Sequence, residues 1–453
     1  MSRKAICLVV AMMMLLAMLA GCNASVSPSA STTSAAKTET PDATGTPEAT
    51  AGPNDEAFTI KVSSWDIIDE AEEIAYKANT LYKQEVEKEF KEIYPNATIQ
   101  WNNTGNEKYF DLLKAQLASN TADDIFFHQN DLVAFAKAGY MADLTDQPFA
   151  ASLLESTKPG LTYGGKLYAV APSIAGWACW YNAKMFADNG WTMPKTWNDF
   201  IALCDAIKAK GMTPLVGGFK DSWTIGGLIL ADAVDIMGAN PGFETDLYNG
   251  KAKLNGPEYQ KVMGKLETLI QNGYYNKDCL SINWDQSRAY FEQGKAAMII
   301  QGSWLPGSVA SEVPDFQTGF MPIPDDNGNF FMSYGLNLLI SVNANSKIPD
   351  KANALMGVLI GKKPLEIRYK DSSFSAIKGT EVEYTLPAIK DYAAALQSLP
   401  SGLQPSTYFP PSVWPVLTNI QSAIIAGQKF DPASLDEAQS TYEKDKSLVE
   451  IPQ

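Results

Sequence analysis

Phe58, Ile60 and Val62 alternate with Thr59, Lys61 and Ser63, the twofold period of a half-buried strand. After them Ile74, Ala78, Leu81, Val86, Phe90 and Ile93 recur at helical spacing. That pattern stops at Tyr94-Pro95, because the proline ring disfavours helix in the residue before it. Ala97, Ile99 and Trp101 alternate again, Tyr109, Leu112, Leu113 and Leu117 mark a second helix, and Ile125-Phe126-Phe127 reads as a short apolar strand. Strand, helix, strand, helix, strand predicts parallel pairing with right-handed crossovers, hence an α/β lobe.

From about Leu161 the pattern loosens and then repeats. Ala178 to Tyr181 predicts a strand, and Trp197 to Lys210 a helix with Phe200, Leu203 and Ile207 as its buried stripe. Pro194 stops the chain before that helix, Thr196 and Asp199 have capping-box spacing, and Gly211 ends it. Further strands are predicted at Ala296–Gln301 and Gly335–Val342. No short-period repeat is visible, so two α/β lobes divide the folded part.

The first segment has a different character. Arg3 and Lys4 precede an apolar run from Ala5 to Ala20, too short for a spanning helix but suited to a secretory signal. The run closes on Leu19-Ala20-Gly21-Cys22, which resembles the bacterial lipobox and predicts lipidation at Cys22. Two acyl chains on one cysteine suffice for stable anchoring. Residues 23–56 are almost entirely small, polar or acidic, with Val26 the only large apolar side chain, and are expected to form a disordered tether.

Composition removes several kinds of chemistry. The chain has 453 residues, 36 Lys+Arg against 51 Asp+Glu, and a formal charge of −15, a balance that repels nucleic acid. His128 is its single histidine, so HExxH metal sites are impossible. Cys179, Cys204 and Cys279 follow the lipidated cysteine without CxxC spacing and are expected as buried small hydrophobes. No metal or cofactor is predicted. Gly160 to Lys166 has P-loop spacing, but Leu167 stands where magnesium needs a hydroxyl, so a turn is expected. Asp325-Asp326-Asn327-Gly328 lacks the glutamate of a calcium loop and predicts a surface turn. Nothing singles out a pair of glycosidase carboxylates.

The aromatic residues carry more information. Trp65 follows a strand, Trp177 sits among glycines, Trp223 follows Lys-Asp-Ser, Trp304 follows Gly-Ser, and Trp414 lies beside prolines. Helical or strand packing does not require an indole at these places. Sugar rings present flat C–H faces that stack on indoles, so such a set suits a carbohydrate cleft.

Four ordered motifs then resemble the extracellular solute-binding proteins of bacterial ABC importers, in the group that includes maltose-binding protein. Asp123-Asp124-Ile125-Phe126 with Ala138 to Leu144 resembles "PDI…GLL.PL", with Asp123 in place of the usual proline. Gly165 to Pro172 resembles "GK.YAVP", and Trp180 to Phe186 followed by Pro194 to Phe200 resembles "YNK.LF…PKTWDEF". Phe291 to Met298 followed by Gly302-Ser303-Trp304 resembles "F..GKAAM…G.W".

The resemblance implies the two-lobed periplasmic-binding-protein fold, with hinge strands and an inter-lobe ligand cleft. The chain would cross near Pro172, return near Phe331 and cross again around Ser375. Residues 1–22 are then signal and anchor, and 57–172 plus 331–378 form the first lobe. Residues 173–330 plus 379–453 form the second.

By the same resemblance Trp304 and Trp414 stack on ligand, and Trp65, Asp66 and Trp223 face the cleft. The loop Phe127-His128-Gln129-Asn130 supplies Phe127, His128 and Asn130, while Trp177 is included on its glycine-flanked setting alone. The implied function is a monomeric, membrane-anchored receptor that hands a sugar or oligosaccharide to an ABC permease and changes no covalent bond. The alternatives are a binding protein of the same fold for another solute, and a glycan-degrading enzyme.

Overall fold

Period-two segments in the first half pair as expected. In the computed structural model, which describes residues 54–67, 77–129, 131–380 and 382–451, β1 (Phe58–Ser64) lies between β2 (Ala97–Asn103) and β3 (Ile125–His128). Both pairings are parallel, with Ile60 opposite Ile99 and Val62 opposite Ile125. The connections are α1 (Lys77–Ile93) and α2 (Asn106–Ala118), and α1 ends just before Tyr94-Pro95. The core around this sheet buries Ile60, Val62, Tyr82, Val86, Phe90, Ile125 and Phe126 completely.

A second sheet is built on one long strand, β4 (Ser173–Asn182). Beside it lie α3 (Trp197–Ala209), β5 (Thr213–Val216) and β6 (Ala296–Gly302), with β5 and β6 parallel and β6 antiparallel to β4. The capping box at the start of α3 is formed, Thr196 accepting from the Asp199 amide and Asp199 from the Thr196 amide. β7 (Thr318–Met321) and β8 (Met332–Leu336) also pair with β4, and β9 (Leu339–Val342) pairs instead with β3 of the first sheet.

The single strand expected over Gly335–Val342 is therefore two strands in two sheets. The chain changes lobes at Asn337-Leu338, later than the return expected near Phe331, because Tyr334 to Leu336 still pair with β4 and Met332 is buried in the core beside it. The Asn337 amide donates to the Ser173 carbonyl (3.2 Å), so this crossing lies beside the one that leads into β4. The boundary expected at 378 also moves. Phe374 pairs with β4, while Ile377 and Val382 still belong to the first core. Among the described residues at the end of the expected tether, the Asp55 carbonyl accepts from Asn96 (2.7 Å) and Glu56 pairs with Lys351 (2.8 Å). The signal segment, Cys22 and the tether up to residue 53 lie outside the described residues.

The two motif near-misses are turns. Gly164 and Gly165, both at positive φ, close the hairpin of Thr162-Tyr163 and Lys166-Leu167. Asp325 accepts the amides of Asn327 and Asn329 (both 2.8 Å). The three described cysteines are free and buried. No group of His, Cys, Asp or Glu among the described residues could hold a metal ion, and no described helix is long and apolar enough to cross a membrane.

Candidate functional site

Parallel strands direct their carboxyl ends one way, and ligands of open α/β sheets collect outside those ends. Here β5 and β6 run parallel, and the chain leaving each carries an indole: Trp223 in α4 (Ser222–Ile225) and Trp304 just after Gly302. Trp177 on β4 pairs with Gly302, close to where β4 enters from the hinge. Three rings drawn from distant sequence thus form a triangle. Trp177 lies 5.5 Å from Trp304 and 6.1 Å from Trp223, and Trp223 lies 6.1 Å from Trp304. The interplanar angles of 54° to 83° are tilted to edge-on contacts, which leave more ring face available than flat stacking does.

Glycine makes the arrangement possible. A Cβ on Gly226 would lie 2.1 Å from the Trp414 ring, one on Gly227 would lie 2.8 Å from Trp177, and one on Gly302 would lie 2.2 Å from Trp304. Trp414 lies in the first turn of α6 (Val413–Ile425), whose Gln421 donates to the Ile225 carbonyl (3.2 Å) and ties α6 to α4. Trp223, Trp304 and Trp414 are half-buried against the second lobe's core; Trp177 is only 8% exposed and backs Trp223 and Trp304, while Trp414 packs on Gly226 beside them.

On the first lobe the expected residues fare differently. Trp65 is half-buried on Tyr109 (5.4 Å) and Phe110 (4.8 Å), at the carboxyl end of β1. Asp66 is ion-paired to Arg368, whose side chain is 3% exposed and lies over Tyr82 (4.7 Å) and Phe127 (5.7 Å). Phe127 and His128 are both fully buried, so the expectation that they contact ligand is corrected. β3 is an interior strand covered on both faces, and its last residues point into the core instead of the cleft. The Ser341 hydroxyl donates to the Tyr168 carbonyl (2.8 Å), leaving its oxygen to accept from His128 Nε2 (2.9 Å). Burial lowers the imidazole pKa to about 3, so the ring is neutral. Asn130 lies outside the described residues.

With this geometry in place the comparisons are informative. Residues 77–364, well over half of the chain, match the bacterial extracellular solute-binding proteins. The chain belongs to that family. A relative named "Multiple sugar-binding protein", from Streptococcus mutans, is 24% identical over 285 residues, 61% of this chain and 68% of its own length. Other curated relatives match over 56% and 66% of theirs, so the chain spans about half to two thirds of their length. A solved "Chitin oligosaccharide binding protein" superposes with TM-score 0.73 at 22% identity, covering 86% of this chain and 99% of that one. The structure named "SBP RafE in complex with raffinose" gives 0.71 at 21%, covering 86% and 100%. At these identities the likeness is one of fold, and it supports the two-lobed α/β architecture.

This solute-binding protein has a second inter-lobe feature. A recess lies between Gln129, Leu132 and Pro159 of the first lobe and Gln404, Tyr408 and Phe409 of the second, with Leu336 and Leu339 of the crossing strands in its wall. None of the tryptophans lines it. The last described segment closes it as a strap. Lys137 donates to the Ser447 carbonyl, and the Gly164 amide donates to Glu450 (2.9 Å).

Buried Glu244 supports the second-lobe wall of this recess. Its carboxyl is pushed up to about 8 by desolvation, against opposing hydrogen bonds from the Tyr408 and Thr407 backbone. Sequence reasoning missed this glutamate, Arg368 and also Trp284, whose ring lies 5.8 Å from Trp223. A signal for Trp284 existed, since an indole between Asn283 and Asp285 is not demanded by packing.

Proposed function

We propose that this protein is the carbohydrate receptor of an ABC importer. It captures a sugar between its lobes, closes by a hinge at the crossing strands, and presents the closed form to a permease. Trp223, Trp304 and Trp414 stack on the sugar over the Trp177 floor, and Trp65 faces them from the first lobe. The chain acts as a monomer, held to the outer face of the membrane by diacylated Cys22, and performs no reaction on its ligand. The observation that carries this reading is the meeting of half-buried Trp223 and Trp304 over buried Trp177 at the carboxyl ends of β5 and β6. Relatives named for sugar binding, chitin oligosaccharide and raffinose support the same ligand class.

A thermal-shift panel of mono- and oligosaccharides tests it, because a ligand stabilises the native state by RT ln(1 + [L]/Kd). At least one saccharide should raise Tm, and Trp304→Ala should abolish most of that rise. A panel in which amino acids or metal chelates shift Tm and no saccharide does would remove the carbohydrate assignment while leaving the receptor fold intact. Mass spectrometry of the membrane fraction should find the mature chain beginning at a diacylated Cys22.

A further inference from the structure

Beyond the triangle of indoles, Trp284 extends the aromatic row. It begins α5 (Trp284–Glu292), is half-buried, and meets Trp223 at 5.8 Å and 61°. Among the described ring contacts it meets Trp223 and neither Trp177 nor Trp304, so it continues the row one ring beyond Trp223.

The position is built, not incidental. Asp221 is the N-cap residue of α4; its carbonyl accepts from the Thr224 amide (3.0 Å) and hydroxyl (2.8 Å), and its carboxylate accepts from the Trp284 amide (2.9 Å). One aspartate thereby fixes both indole-bearing helices. The loop before it is laced to the segment before α5, with the Phe219 amide donating to the Cys279 carbonyl (2.7 Å) and the Lys220 amide to the Ile282 carbonyl (3.1 Å). A Cβ on Gly218 would lie 2.5 Å from the Asn283 carbonyl oxygen, so only glycine permits the approach. Asn283 and Gln286 complete a capping box that sets the start of α5.

We propose that Trp284 is an additional sugar platform and Asp221 its positioning residue, so that the ligand is an oligosaccharide with at least one unit beyond those held at Trp304 and Trp223. This rests on the carbohydrate reading above. A hydrogen-bonded frame holding two tilted indoles in register pre-orders the surface that successive units of one chain would meet, and lowers the ordering cost of binding.

Calorimetry of the full-length protein with xylo- and chito-oligosaccharides, from mono- to hexasaccharide, tests the proposal. Trp284→Ala should weaken the longest bound saccharide by about tenfold while leaving the shortest bound one unchanged, and Trp284→Phe should restore part of the loss. Asp221→Ala should reduce the same long-to-short affinity ratio, and Asp221→Asn, which keeps an acceptor oxygen, should recover it. Equal losses at every length, or none, would overturn the proposal and leave the receptor function standing, as would a wild-type protein that binds monosaccharides alone. A wild-type protein that binds no saccharide overturns both.

Discussion

The two sides of the cleft are made differently. On the second lobe, Trp223, Trp304 and Trp414 are half-buried; Trp304 and Trp414 pack closely on Gly302 and Gly226, and Trp177 backs Trp223 and Trp304. On the first lobe, the residues at the corresponding strand ends are absorbed by their own fold. Phe127 and His128 are sealed in the core, and Asp66 neutralises the buried Arg368. One side offers a preformed apolar surface, and the other uses its polar groups to hold itself together. An indole on glycine needs no partner to be stable, whereas a buried guanidinium does.

The largest effect that tests this contrast is on folding. Asp66→Ala should destabilise the protein by about 3–5 kcal/mol, because it leaves Arg368 charged and unpaired inside the first lobe. Denaturant titration of Asp66→Ala beside the Asp66→Ala/Arg368→Met double variant checks this, since the double variant should recover much of the loss. If Asp66→Ala instead folds normally and loses only sugar affinity, the first lobe is a ligand surface after all.

Next in size is binding. Trp304→Ala should lose about 1–3 kcal/mol of affinity with little change in Tm, and Trp65→Ala should lose less, as read by calorimetry. Gly302→Val, which drives a side chain into the Trp304 ring, should match or exceed the loss from Trp304→Ala.

Smallest per pH unit are the titration effects, and the lobes should respond in opposite directions. His128 has its folded pKa lowered to about 3, so the unfolded chain binds its proton more readily and stability falls as pH drops below the ordinary imidazole range. Glu244 has its folded pKa raised to about 8, so its contribution is fully present below the ordinary carboxylate range and is lost as pH rises through about 8. Neither slope can exceed about 1.4 kcal/mol per pH unit for one proton. Scanning calorimetry from pH 4 to 9 should show Glu244→Gln flattening the alkaline side and His128→Asn flattening the acid side. An unchanged alkaline limb in Glu244→Gln would mean that this carboxyl is ionised and hydrated in the native state.

Strands β1 to β3, their two helices and the capped α3 were legible because period and capping are local properties, written within a few residues of one another. The family motifs around Trp180, Pro194 and Gly302 were legible for the same reason. The sequence could flag unusual tryptophans but could not separate those over glycine from those over core. Trp177, Trp223 and Trp304 meet only through strand register and the chain reversals after β5 and β6. His128 read as a loop residue beside the cleft, yet the antiparallel pairing of β3 with β9, more than two hundred residues away, buries it. Trp284 joins the row only because Asp221 reaches it across a sequence separation of 63. Local pattern therefore determined the elements and the kinship of this protein. Where the indoles gather and where His128 is sealed depended on contacts between segments far apart in the chain, and each set forms only when the lobe that carries it is folded.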